Sequence, residues 1–157
     1  MRNFARAFEA LDRDPAVIFE LGSIRNLTEL ARESDGWSTL WFAEYVAEHG
    51  GHVWSYDTHA RADVVRAVLG DLAECVTTVK ADASEMRGTC DLLYLDGPND
   101  PGPHLAVFEA VTARLVLCDD VIHDDYGPKA SLVVPAALRL GYEIAWHDGR
   151  HLLLRQP

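Results

Sequence analysis

Cysteine is scarce in this chain, and positive charge is outnumbered. The three cysteines, Cys75, Cys90 and Cys118, are scattered and odd in number. None forms a CxxC pair, which argues against a disulfide framework and against a structural zinc site. Each falls in or beside a predicted strand, where a free thiol behaves as a small apolar group. That pattern fits a reducing, cytoplasmic setting. Lys and Arg number 14 against 25 Asp and Glu, a formal net charge of −11. Such a surface repels a nucleic acid backbone and suits a neutral or cationic small ligand. No apolar run approaches the ~18 residues of a membrane span. The opening stretch, MRNFARAFEALDRDP, lacks the apolar core of a secretory signal. No GxGxxG fingerprint follows a strand, so a nicotinamide dinucleotide is disfavoured.

What is present is alternation. At 157 residues, 48% of them hydrophobic and 25% charged, the chain reads as a single ordinary globular domain, 1–157. Phe4, Phe8 and Leu11 mark one face of an N-terminal helix within residues 1–14. Ala16–Gly22 is a short apolar strand ending at Glu20 and a glycine. Ser38–His49 is a helix closed by Gly50 and Gly51, with Ser38 as its cap. His52–Asp57, Cys75–Asp82, Cys90–Gly97 and the segment RLVLCDD supply four more strands. Helices separate them, except between Ala83 and Gly88, which is too short for a long crossover. A proline-opened helix starts at Pro128, and Pro135 inside it predicts a kink or a split. The last segments, YEIAWH and RHLLLRQ, read as a hairpin on a two-residue Asp148-Gly149 turn. The expected fold is therefore α/β: a doubly wound, mostly parallel seven-stranded sheet with a C-terminal antiparallel hairpin.

In open sheets of this kind, ligands sit beyond the carboxyl ends of the strands. Those ends carry Glu20 and Gly22, then Asp57, Asp82, Asp96, and the adjacent pair Asp119 and Asp120. One Asp after a strand is ordinary turn chemistry. Five strands doing so predict one electronegative crevice, which would repel a pyrophosphate. It suits S-adenosylmethionine, which has a sulfonium cation, ribose hydroxyl donors and an adenine amino donor, and no phosphate.

With those residues in view, the sequence resembles the class I S-adenosylmethionine-dependent methyltransferases over Ala16 to Gln156. FELG is similar to that family's first motif. The wording DGWSTLWFAEYV, YLDGPNDP, CDDV and GPKA resembles a bacterial small-molecule branch, including macrocin-type sugar O-methyltransferases and more distant catechol-type relatives. The resemblance implies that Glu20 and Gly22 flank the methionine end, Asp57 holds the ribose and Asp82 lies near the adenine. Ser23, Gly36, Trp37, Ser38, Thr58, Ala83 and Asp96 complete the implied cofactor set. The usual glycine-rich loop is interrupted here, because SIRNLTELARESD separates Gly22 from Gly36. This reads as an inserted loop or short helix beside the cofactor.

The resemblance also implies a use for the aspartate pair. Metal-dependent relatives place their ligands at these strand ends, so Asp96, Asp119 and Asp120 are candidate Mg²⁺ ligands that would acidify and orient a hydroxyl acceptor. The alternative is that one aspartate caps a turn while the other faces water. Asp96 is also a candidate catalytic group. The strand-four lysine of catechol-type relatives is missing. His123 is the candidate base, with a solvated loop histidine as its alternative. Lys129 would contact an acidic substrate or a carboxylate, or else lie exposed in a helix's first turn. His104 is expected in the first turn of a helix, and His147 and His151 beside the hairpin. The expected activity is methyl transfer to a small-molecule hydroxyl, with homodimerisation as a way to cover the site. The alternatives are a metal-independent N- or C-methyltransferase and a non-catalytic S-adenosylmethionine-binding protein.

Overall fold

A computed structural model of the chain describes residues 2–24, 27, 37–122 and 126–157. Seven strands form one sheet: β1 (Ala16–Leu21), β2 (Gly51–Tyr56), β3 (Val76–Val79), β4 (Gly88–Leu95), β5 (Val111–Cys118), β6 (Glu143–His147) and β7 (Leu152–Arg155). Their order is β3-β2-β1-β4-β5-β7-β6. The first five are parallel, and β7 pairs antiparallel with both β5 and β6. The doubly wound, mostly parallel sheet with a terminal antiparallel hairpin is thus as expected.

The central strands read as continuous apolar runs because helices bury both faces. Side chains alternate along each strand. Ile18, Leu92, Tyr94, Leu115 and Leu117 face one layer, together with Phe4, Leu11, Phe42 and Val46. That layer is formed by α1 (Arg2–Leu11) and α2 (Ser38–His49). Phe19, Leu21, Leu93, Leu95, Val116 and Cys118 face the other, with Val107, Phe108, Val133 and Val134. Those partners come from α4 (Pro101–Ala110) and α6 (Val133–Arg139). A further helix, α3 (Ala62–Leu69), packs Val64, Val65 and Leu69 against Leu40 and Ala43 of α2. Leu92, Leu93, Leu115 and Leu117 have no solvent exposure, and each such burial stabilises by about 2 kcal/mol.

Local chemistry departs from the sequence reading in four places. The helix opened by Pro128 splits into α5 (Gly127–Ala130) and α6. Pro135 is the third residue of α6, where no amide N–H is required, so the split falls before the proline and not at it. Ser38 does not cap α2; Trp37 precedes it in a left-handed conformation, with no side-chain cap bond. Strand β3 ends at Val79, and Asp82 caps the short 3₁₀ turn Ala83–Glu85, whose Glu85 bonds back to it. The final hairpin turns through residues 148–151, a longer loop than Asp-Gly alone suggests. There the Asp148 side chain accepts from the N–H groups of Arg150 and His151 at 2.9 and 2.7 Å.

All three cysteines are free. Burial pushes the Cys90 and Cys118 thiols up to about 12, so they act as core residues. No helix among the described residues is long and apolar enough to cross a membrane.

Candidate active site at the strand ends

After β1 the chain turns to one side of the sheet, and after β4 to the other. Between these strands lies the switch point where open sheets bind ligands. The strand ends are stitched together there. Asp96 N–H donates to Leu21 C=O at 3.0 Å, Gly22 N–H to Tyr56 C=O at 2.8 Å, and Asp119 N–H to Leu95 C=O at 3.1 Å. Gly22 has φ +102°, and a Cβ on it would collide with the Asp96 carbonyl. Only glycine lets the two loops approach so closely.

Two cavities open on this edge and share Gly22, Gly97 and Pro98 as a common ridge. The first, of about 370 Å³, is walled by Ser23, Trp37, Ser38, Asp96, Asn99, Asp119, Asp120, Lys129 and Arg150. The second, of about 310 Å³, is walled by Tyr56, Asp57, Thr58, Asp82 and Ala83. The expected strand-end carboxylates therefore gather on one edge, divided between two adjoining lobes. A larger groove of about 870 Å³ lies between α1 and α2. It opens near Asp14 and His49, at the amino ends of β1 and β2, and holds none of the strand-end groups.

Glu20 is the exception. It has no solvent exposure and belongs to neither cavity wall. Its carboxylate accepts from the hydroxyls of Ser38, Thr39 (2.7 Å) and Ser55 (2.6 Å). Burial pushes its pKa up to about 7, against the lowering effect of those hydroxyls. Glu20 stands behind the Gly22 loop and holds the start of α2 against β1 and β2. Ser38 spends its hydroxyl on Glu20, which is why it does not cap the helix.

Asp57 is buried and accepts from Ser23 N–H at 3.2 Å and His59 N–H at 2.7 Å. The Ser23 hydroxyl is buried without a hydrogen-bond partner among the described residues. Thr58 and Ala83 line the second lobe. Gly36 and His123 lie outside the described residues.

Asp96, Asp119 and Asp120 converge, with one oxygen of each within 4.8 Å of the others. Their charge is offset by cations of the chain itself. Lys129, 5% exposed, places its ammonium 2.5 Å from Asp96 Oδ1 and 2.6 Å from Asp120 Oδ2. Of its two expected settings, contact with a carboxylate is the one found. Asp119 points inward, and its two oxygens accept from Asp120 N–H (2.8 Å), Tyr94 O–H (3.2 Å), Arg150 Nε (3.0 Å) and Arg150 Nη2 (3.3 Å). His151 Nε2 stands 3.1 Å away. Burial alone would raise the pKa of Asp119, but the bonds from His151 and Arg150 hold it well below the usual carboxylate range. Asp96 goes the other way: burial and the charge of Asp119 outweigh Lys129 and push it up to about 6.

These facts test the Mg²⁺ expectation. A carboxylate offers about four lone pairs, and those of Asp119 are spent on protein donors. Lys129 occupies the position between the other two. The three-aspartate metal site does not fit this arrangement, because the compensation that the adjacent pair demands comes from Lys129, Arg150 and His151. Arg150 and His151 were not legible as site residues: they arrive from the terminal hairpin, far along the chain from Asp119.

His104 is the other group that sequence reasoning missed. It is 1% exposed, its Nε2 is 3.1 Å from Gly97 N and its Nδ1 3.0 Å from the Lys129 carbonyl. Burial lowers its pKa.

No protein-family model and no curated protein matches the sequence. Solved structures do. An S-adenosylmethionine-dependent methyltransferase from Geobacter sulfurreducens, in complex with S-adenosyl-L-homocysteine, superposes with a TM-score of 0.56 at 15% identity, over 92% of this chain and 65% of that one. A protein from Pyrococcus horikoshii, provisionally assigned as an RNA methyltransferase, gives 0.62 at 15%, over 98% and 78%. CalO1, a methyltransferase of calicheamicin biosynthesis in its S-adenosylhomocysteine-bound form, gives 0.52 at 14%, over 97% and 54%. The chain thus spans less than two thirds of the Geobacter protein and about half of CalO1. At such identities the likeness establishes the fold, the Rossmann-like methyltransferase fold.

Proposed function

We propose that this chain binds S-adenosylmethionine across both lobes and methylates a hydroxyl of a small molecule, with Lys129 as the resident cation of the site in place of a metal. The observation that carries the reading is the gathering of Asp57, Asp82 and Asp96 on two lobes joined at Gly22 and Gly97, on an edge without a phosphate fingerprint. The fold and the S-adenosylhomocysteine-bound neighbours support the same cofactor.

Asp57 would accept the ribose hydroxyls, and Asp82 the adenine amino group at the far end of the second lobe. The Ser23 hydroxyl, buried without a partner among the described residues, suits the methionine carboxylate. When bound, the cofactor supplies a methyl group on a sulfonium, which leaves as a neutral sulfide. The chain has then only to hold the acceptor oxygen in line and take its proton. Asp96 faces that space and titrates at about 6, so at pH 7 it is ionised, yet basic enough to receive a hydroxyl proton. Lys129 places a positive charge beside the oxygen as its own charge develops. In balance, an O–C bond forms as the C–S bond breaks, and the hydroxyl proton passes to Asp96 and on to water.

The net charge of −11 favours a small acceptor over RNA, although one neighbour is assigned to RNA. Calorimetry with S-adenosylmethionine, S-adenosylhomocysteine and NAD tests the cofactor. The first two should bind and NAD should not; binding of NAD alone refutes the assignment. Turnover to S-adenosylhomocysteine that survives EDTA supports Lys129 as the cation, whereas loss of turnover with EDTA and its return with Mg²⁺ restores the metal.

A further inference from the structure

We propose that His104 is a positioning residue: held as its neutral Nδ1–H tautomer, one imidazole fixes the backbone at both ends of the Asp96–Lys129 pair. The tautomer follows from its partners. Gly97 N–H can only donate, so the Nε2 atom 3.1 Å away must be bare. The Lys129 carbonyl can only accept, so the Nδ1 atom 3.0 Å away must carry the hydrogen. The opposite tautomer would set donor against donor and lone pair against lone pair in an enclosed space, and a doubly protonated ring would lose the Gly97 bond.

The ring is also wedged. A Cβ on Gly97 would lie 2.8 Å from His104 Nε2 and 2.9 Å from Leu21 Cδ2, so the Gly97 peptide has no room to slide toward α4. Gly97 follows Asp96 and forms the ridge between the lobes. Lys129 reaches Asp96 from the other side. His104 therefore ties the loop after β4 to α5 without touching either cavity. Displacing either tie by about 1 Å would misalign the acceptor oxygen, which can cost roughly 100-fold in rate.

The activity arm of the test rests on the proposed function; the spectroscopic arm does not. Long-range ¹H–¹⁵N correlation on the full chain with ¹⁵N-labelled histidine should show, at neutral pH, a His104 ring with Nδ1 protonated and Nε2 bare. The other tautomer, or a doubly protonated ring, overturns the inference. His104→Phe removes both bonds, His104→Asn keeps a donor near the Nδ1 position, and His104→Gln keeps an acceptor near Nε2. The expected kinetic pattern is a fall of at least about tenfold in kcat for His104→Phe, with KM for cofactor and acceptor little changed and kcat partly rescued in the Asn or Gln variant. An unchanged kcat in folded His104→Phe refutes the role. If that variant does not fold, the Asn and Gln variants carry the test: wild-type kcat in both refutes, and a loss in both at unchanged KM supports. Should the wild-type chain show no turnover with any acceptor, the proposed function fails on its own. His104 is then judged by the ring tautomer and by Gly97 amide exchange, which should be slow in wild type and His104→Gln and fast in His104→Asn. Equal exchange in all three overturns it.

Discussion

Replacing Lys129 with Met removes the cation that stands between Asp96 and Asp120. Its ammonium lies 2.5 Å from Asp96 Oδ1; with the charge centres about 4 Å apart, the attraction lost is roughly 4 kcal/mol at an effective dielectric of about 20. Asp96 is 25% exposed, so solvent screening leaves about 2 kcal/mol of this. The Asp96 carboxyl, already at about 6, should rise further, by roughly 1.5 pH units at 1.36 kcal/mol per unit. A carboxyl whose pKa is raised in the folded state binds its proton more tightly there than in the unfolded chain. Its stability contribution is present at low pH and is lost as pH rises through the folded value. In wild type that loss is complete near pH 7; in Lys129→Met it continues to about pH 8 or 9. Urea unfolding followed by tryptophan fluorescence, at pH 6 and pH 9, should show the variant losing about 2 kcal/mol more than wild type across that interval. Millimolar Mg²⁺ should raise the melting temperature of the variant, whose Asp96 and Asp120 are released, and leave wild type unmoved. Parallel pH curves, or equal Mg²⁺ stabilisation of both proteins, would refute the placement of Lys129 as the compensating charge.

Glu20→Gln should flatten the pH dependence of stability. Wild-type Glu20 is raised from 4.5 to about 7, so wild type should lose up to about 3 kcal/mol between pH 4.5 and pH 8 relative to the variant, read from urea midpoints; identical slopes would count against the buried carboxylate. Asp119→Asn acts in the opposite window. A carboxylate held below its usual range contributes stability above about pH 4 and loses it as pH falls. The variant should therefore be about 3 kcal/mol less stable at pH 7, with the gap closing toward pH 2; a gap that stays constant would mean that the Arg150 and His151 contacts do not set its ionisation. Gly22→Ala should cost about 1–3 kcal/mol in strain and weaken S-adenosylhomocysteine binding at least about tenfold in calorimetry; wild-type affinity would show that the β1 loop tolerates a Cβ.

The layered architecture was readable because each central strand carries an apolar run, such as Leu92–Leu95 or Leu115–Cys118, with a carboxylate at its carboxyl end. Period and punctuation were enough. The edge details were not. Asp82 looked like a strand terminus, but its capping bond to Ser84 ends β3 earlier. The hairpin turn looked like Asp-Gly alone, but Asp148 gathers two further amides. In the site, the acidic half was legible; of the basic half only Lys129 was, as a residue that would contact a carboxylate, while Arg150 and His151 were not. Lys129, Arg150 and His151 meet Asp96, Asp119 and Asp120 across 9 to 33 positions of chain, and no spacing rule links them. The metal reading followed from seeing the anions without their partners. The burial of Glu20 was illegible for a related reason: nothing in FELG announces the three hydroxyls that enclose it.

The strand order β5-β7-β6 also carries a consequence for the nascent chain. β6 leaves the ribosome before β7, yet among the described residues β7 is its sole neighbour in the sheet, so that pairing waits for the later strand. The same hairpin brings Arg150 and His151 to Asp119. A polypeptide interrupted upstream of Arg150 would present its acidic cleft without that clamp and with an unfinished sheet margin. Formation of the clamp on Asp119 is thus tied to one event, the insertion of β7.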